Sequence, residues 1–269
     1  MKDLIKRKLG LYKAKNETIK VVNRCINKQN VAMLHTGRCG STVLGSMLHQ
    51  HKSMSWVGEP FEPYMQKEKK FKDFNEAINI QRGAKIAPVL LFAIKHLEQL
   101  HLNKHCLNIN KKELVEALNE FKDIKFISLE RNNYLKRAVS AEIARSKKQW
   151  HVKKGDSNSQ KKVHINVENF QTGHTYQSLI ELFDSMTESY QTLCNELPKG
   201  STLYLTYEED ILENPLKAYY KVCQFLKLPE QKVRVNLKKT NPFPLSELII
   251  NYDEVYQYLE PTKYKWMLD

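Results

Sequence analysis

The stretch from Val31 to Leu48, VAMLHTGRCGSTVLGSML, decides how the rest of the chain is read. A short apolar strand runs into a turn carrying Gly37 and Gly40, and an apolar-periodic helix opens on Ser41 and Thr42. Glycine permits backbone conformations closed to other residues, and the unpaired N–H groups of the helix's first turn then face whatever sits in the loop. The positive end of the helix dipole favours an anion there. A nucleoside-triphosphate loop, G-x-x-x-x-G-K-[ST], places a Lys directly before its hydroxyl residue. Here Ser41 stands at that Lys position and the basic residue, Arg38, lies inside the turn. The spacing predicts a cradle for a phosphate-like anion without the usual magnesium-triphosphate apparatus.

Outward from this loop, strands and helices alternate. Ser53 to Val57 reads as a second strand running into GEPFEPY, and Gly83 to Ala87 as a third. Helical spacing follows over Leu90–Leu102 and Lys111–Phe121, then a buried strand over Ile124–Leu129 and a helix over Tyr134–Trp150. A long amphipathic helix over Tyr176–Leu197 ends at Pro198 and Gly200. Ser201–Thr206 reads as a strand, Pro215–Leu226 as a helix with Pro in its first turn, and Leu245–Leu259 as the last helix. This alternation predicts one α/β domain over residues 1–269, with a parallel sheet covered by helices on both faces. Ligands on such sheets bind beyond the C-terminal strand ends, where the first loop already lies. Residues 1–30 form a basic extension in which Leu4, Ile5, Leu9, Leu11 and Tyr12 share one helical face. Residues 151–175, opening on the polar HVKKGDSNSQKK, read as a loop beside the site.

Composition narrows the class. Lys plus Arg number 43 against 30 Asp plus Glu, a net charge of +13, which favours anionic ligands. The basic residues are dispersed and form no tract, which argues against a nucleic-acid binder. The 5 cysteines lack metal-type spacing and suit a reducing, cytoplasmic setting with free thiols. Cys39, at a helix N-terminus beside Arg38, is expected to have a lowered thiol pKa. No apolar run of the basic N-terminal segment is long enough for a signal peptide or membrane span. His101 and His105 have helical metal-ligand spacing but no third ligand, so no metal site is expected.

Three motifs in order carry a resemblance. TGRCGSTVLGSMLHQH with GEPFEPY resembles the 5′-phosphosulfate loop and following strand of sulfotransferases that use 3′-phosphoadenosine 5′-phosphosulfate (PAPS). ISLERNNYLKRAVSAEIA resembles their 3′-phosphate-binding strand and helix, and LTYEEDILENPLKAYYKVCQFLKLP is similar to a further region frequent in that family. The resemblance covers residue 31 to the C-terminus and implies the P-loop nucleotide-hydrolase-like sulfotransferase fold. It also implies PAPS as co-substrate, PAP as product, no metal requirement and an acceptor hydroxyl on a carbohydrate, lipid or small metabolite. A homodimer is compatible with it.

PAPS carries two anionic groups, so its site needs two cradles. The resemblance places Arg38, Cys39, Gly40, Ser41 and Thr42 on the 5′-phosphosulfate, and Arg131 with Ser140 on the 3′-phosphate. The interval from Arg131 to Ser140 is nine residues where many relatives have eight, so the helix starts one residue later or a neighbour of Ser140 makes the contact. Lys238, Lys239 and Thr240, in NLKKTNPFPL, stand where the family has a C-terminal basic loop, here without its Gly-rich form. Sulfuryl transfer through a loose transition state depends on positioning and charge stabilisation. On this reading Arg38 stabilises the bridging oxygen of the breaking bond, and Lys85 faces the sulfate from the end of the third strand. Glu59 takes the acceptor's proton, with its pKa raised by burial; Glu62 is the alternative carboxylate. Competing readings are a P-loop small-molecule kinase, which the missing loop Lys disfavours, and a basic nucleic-acid or anionic-surface binding protein.

Overall fold

Apolar runs flanked by turn residues build a five-stranded parallel sheet in this computed structural model, which describes residues 29–61, 87–97, 109–121, 123–150, 160–173 and 175–269. Its strands are β1 (Gln29–His35), β2 (Met54–Trp56), β3 (Val89–Lys95), β4 (Lys125–Glu130) and β7 (Thr202–Thr206), in the order β2-β3-β1-β4-β7. A two-stranded antiparallel ribbon, β5 (Phe170–Thr172) and β6 (Thr175–Gln177), lies outside the sheet.

Alternation along the strands sorts the core into two layers. Val31 and Met33 of β1 pack with α1 (Ser41–Gln50) and α6 (Leu216–Phe225). Ala32 and Leu34 face the opposite way, onto α2 (Lys111–Asn119) and the C-terminal end of α4 (Leu179–Glu196). A third cluster joins α3 (Tyr134–Lys147), the first half of α4, and the helices α7 (Leu245–Leu248) and α8 (Tyr252–Leu259). The expected parallel sheet with helices on both faces is therefore present. Among the described residues no helix is long and apolar enough to cross a membrane.

The chain leaves β1 toward β2 and leaves β4 toward β7, so the connections diverge between these adjacent strands. A crevice opens at such a switch point beyond the strand ends. The loops after β1 and β4 carry Arg38 and Arg131 into it.

Three element assignments change. Leu90–Leu102 does not form a helix from its start: VLLFAIK is β3, buried on both faces, and a short continuous apolar run has no period that separates a central strand from a helix. The third strand among the described residues is thus Val89–Lys95; of the expected strand Gly83–Ala87, Ala87 precedes it and residues 83–86 lie outside the described residues. The long helix begins at Leu179, where Ser178 and Glu181 form a capping box, because Thr175–Gln177 pairs as β6. The last helix is two, α7 and α8, separated by residues 249–251. Residues 1–28, Lys85, Glu62, His101, His105, Cys25 and Cys106 lie outside the described residues.

Candidate active site

The loop after β1 takes its shape from three left-handed residues. Gly37 has φ 79°, Arg38 φ 55° and Gly40 φ 86°, and Gly40 opens α1. A Cβ on Gly40 would come within 2.8 Å of Ile211, so conformation and packing both require glycine there. Two arginines from the β4–α3 segment hold the loop from below. Arg137 is buried, and its Nε and Nη2 donate to the Thr36 carbonyl at 3.2 and 2.7 Å. Arg131 Nη1 donates to the Arg38 carbonyl at 3.1 Å.

Arg131 is held in turn by the YEED stretch of α5 (Tyr207–Asp210). Its guanidinium lies 4.4 Å from the Tyr207 ring centroid, and Glu208 accepts the backbone N–H groups of Asn132 and Asn133 at 3.0 and 3.1 Å. Burial lowers the pKa of Arg131. Its Nε is buried without a hydrogen-bond partner among the described residues, an orphaned donor that an incoming anion would satisfy.

Arg38 joins the first loop to the second cradle. Its Nε donates to Ser140 Oγ at 3.1 Å, Nη2 to Thr240 Oγ1 at 2.9 Å, and Nη1 to the Trp150 carbonyl at 2.7 Å. Burial, and next the charge of Arg131, lowers its pKa to about 10. No carboxylate forms an ion pair with Arg38 or Arg131 among the described residues; two cations are crowded around neutral acceptors. Such an arrangement is costly unless an anion completes it.

Across the cleft, Glu59 sits between two basic residues. Lys95 Nζ lies 2.6 Å from Glu59 Oε2, and His35 Nε2 lies 3.5 Å from Oε1. The backbone explains the meeting. Ala93 N–H donates to the Gly58 carbonyl at 2.7 Å, fastening the segment after β2 onto β3, and the parallel register sets His35 beside Lys95. Glu62, the alternative carboxylate, cannot be compared, because it lies outside the described residues.

One cleft of about 280 Å³ is lined by Arg38, Gly40, Ser41, Thr42, Glu59, Lys95, Arg131, Ser140, Lys238, Lys239 and Thr240. Arg131, Ser140, Tyr207, Lys239 and Thr240 also border an adjoining cavity of about 430 Å³. Residues spread over two hundred positions of sequence thus converge at the switch point. Lys238 and Lys239 are exposed at its rim, and Phe170 to Gly173 of the β5–β6 ribbon add a wall from the segment expected beside the site.

Three expectations fare differently. Lys85 lies outside the described residues, and the basic residue ending the third strand is Lys95. Arg38, expected at the bridging oxygen, directs its donors to Ser140, Thr240 and Trp150, and the cation beside Glu59 is Lys95. Cys39 does not have a lowered pKa. It is fully buried, and burial with the nearby Glu130 pushes its thiol up to about 11, outweighing the N–H groups of Ser41 and Gly37.

The sequence reading missed His35, Lys95 and Arg137. The last two had a signal, a basic residue closing an apolar strand and a second Arg six positions after Arg131; a histidine inside a strand has none.

An α/β parallel-sheet protein with two arginine-bearing loops joined by hydrogen bonds and a carboxylate–lysine pair at its switch point is the class that fold and site define. No known family profile matches the chain, and no curated protein matches it. Among solved structures it is similar to a sulfotransferase from Alicyclobacillus acidocaldarius, with 12% identity, 90% of this chain and 94% of that one covered, and a TM-score of 0.45. It is also similar to the sulfotransferase domain from the curacin biosynthetic pathway, with 14% identity, 76% and 75% covered, and a TM-score of 0.45. A third is the sulfotransferase domain from the Synechococcus PCC 7002 olefin synthase, with 13% identity, 76% and 74% covered, and a TM-score of 0.42.

Proposed function

We propose that the chain is a PAPS-dependent sulfotransferase acting on a hydroxyl of a carbohydrate, lipid or small metabolite. The observation that carries this reading is the bond from Arg38 to Ser140 and Thr240, which makes the strand–helix loop and the Arg131 cradle one site for a ligand with two separated anions. The partnerless Nε of Arg131 supports a phosphate there.

In the reaction the S–O bond to the bridging oxygen of the 5′-phosphate breaks as a new S–O bond forms to the acceptor hydroxyl. The first-turn N–H groups of α1, with Ser41 and Thr42, hold the 5′-phosphate and meet the charge left on the departing PAP. Arg38, Arg131 and Ser140, with Thr240, Lys238 and Lys239 at the rim, hold the 3′-phosphate end. Glu59 accepts the hydroxyl proton. The role assigned on sequence to Lys85 falls to Lys95, which lines the cleft with its ammonium on Glu59 and on this reading also meets the sulfuryl oxygens. Residues 151–175 contribute the acceptor side.

The test is transfer of isotope-labelled sulfate from PAPS to a pool of hydroxyl acceptors, with the product identified by mass spectrometry. Transfer that persists with a metal chelator present is expected. Magnesium-dependent binding of ATP without PAP binding would replace this reading with a kinase.

A further inference from the structure

His35 is completely buried at the end of β1, and its two ring nitrogens face two different parts of the site. Gly37 N–H donates to Nδ1 at 3.1 Å, and Cys39 Sγ lies 3.7 Å from the same nitrogen. Nδ1 is therefore the acceptor, which puts the ring proton on Nε2. Nε2 is enclosed, has no partner of good geometry among the described residues and lies 3.5 Å from Glu59 Oε1. A buried imidazole N–H needs an acceptor, and this carboxylate oxygen is the one presented to it.

We infer that His35 is a positioning residue that couples the anion loop to the base: as a neutral imidazole it fixes the Gly37 turn through Nδ1 and aims Glu59 through Nε2–H. The inference rests on the sulfotransferase reading for what Glu59 does. Its geometry does not depend on that reading.

The groups facing this pair support a neutral ring. Lys95 and His96 approach His35 from the end of β3, Arg137 from α3, and the thiol of Cys39 from the loop; Glu59 faces both His35 and Lys95. Burial first, then the charges of Lys95, His96 and Arg137, hold the His35 pKa well below its ordinary value. A second cation beside Lys95 would be repelled, whereas an uncharged N–H donor holds the second carboxylate oxygen without neutralising it. On this inference Lys95 at Oε2 and His35 at Oε1 approach the two carboxylate oxygens separately, which sets the plane of the carboxylate.

Two substitutions separate the ring's two functions. In His35→Gln the side-chain amide reaches the Nε2 position and keeps a donor for Glu59; in His35→Asn the shorter amide serves Gly37 and leaves Glu59 without it. His35→Asn is expected to keep PAP affinity and to lose about 10- to 100-fold in kcat, with the acid limb of the pH–rate profile moved to higher pH. His35→Gln is expected to restore most of kcat and the original limb. In a Glu59→Gln background, His35→Asn should have no further effect. Unchanged kcat and pH profile in His35→Asn, or an equal loss in the Glu59→Gln background, would overturn the inference.

Imidazole nitrogen NMR on the otherwise unchanged chain gives a readout independent of turnover and of variant folding. The His35 signals should report a neutral, Nε2-protonated ring between about pH 6 and pH 8, where an ordinary imidazole changes charge. The Nε2 signal should shift in Glu59→Gln. A protonated ring, an Nδ1-protonated ring or no response to Glu59→Gln sinks the coupling. Absence of sulfuryl transfer in the wild type, with the NMR result intact, would instead remove the reaction and leave the coupling standing.

Discussion

Arg38 Nε lies 3.1 Å from Ser140 Oγ although 102 residues separate them along the chain. The contact crosses the switch point from the loop after β1 to the second turn of α3, so it reports directly on whether the two cradles act together. Its strength as a functional marker lies in what flanks it: a partnerless donor on Arg131 to one side and the Glu59–Lys95 pair to the other.

Removal of the Arg131 guanidinium should abolish the second cradle. Charge-assisted bonds of this kind contribute about 1.5–3 kcal/mol each, so Arg131→Ala is expected to weaken PAP binding by about 10- to 100-fold by calorimetry. Lys161→Ala, at an exposed position outside the cleft, should bind PAP as the wild type does. Equal affinity in the two variants would remove Arg131 from the site.

Glu59→Gln tests the base. It should keep PAP affinity and lower kcat by about 10²- to 10⁴-fold, the range ascribed to a positioned acid or base. Lys95→Ala should also lower kcat, and retention of full turnover in Glu59→Gln would reassign the proton acceptor.

The glycines of the first unit separate folding from binding. A Cβ on Gly45 would run into the Trp56 ring, so Gly45→Ala overpacks the contact between α1 and β2 and should cost about 1–3 kcal/mol in a urea titration. Gly40→Ala meets Ile211 and also forces φ 86° on a residue with a side chain, so it should reduce both stability and PAP affinity.

Cys39 gives a prediction on the alkaline side. Its folded pKa of about 11 lies above the ordinary 9.0, so the unfolded chain loses this proton first as pH rises. The contribution is complete below pH 9.0 and is lost as pH rises through about 11, and Cys39→Ala should flatten that limb of the stability curve. At neutral pH the native thiol should resist alkylation that modifies the unfolded chain.

Much of this site could be read from the chain because its residues sit beside local signals. Gly37 and Gly40 announce a turn, Arg131 follows an apolar strand, and Thr240 lies in a basic loop. Lys95 closes an apolar run, but that signal is masked because VLLFAIK has no polar alternation and the apolar spacing runs on through Leu102. His35 and Glu59 meet only through the parallel register and the Ala93–Gly58 bond, neither of which leaves a sequence pattern. The direction of Arg38 was beyond reach for the same reason: its partners come from α3, the segment after it and the 237–242 loop. The burial that raises the Cys39 pKa likewise comes from tertiary packing, which overrides its place at a helix N-terminus.

The two hydrogen bonds that Arg137 donates to the Thr36 carbonyl have a kinetic corollary. A loop tethered from beneath loses little freedom when a nucleotide settles on it, so donor and spent nucleotide are gripped with similar strength. Binding shared equally by both adds nothing to the chemical step and delays departure. On the proposed sulfotransferase reading, the exit of PAP is expected to set the pace of the cycle, read as a pre-steady-state burst of sulfated product before a slower steady state.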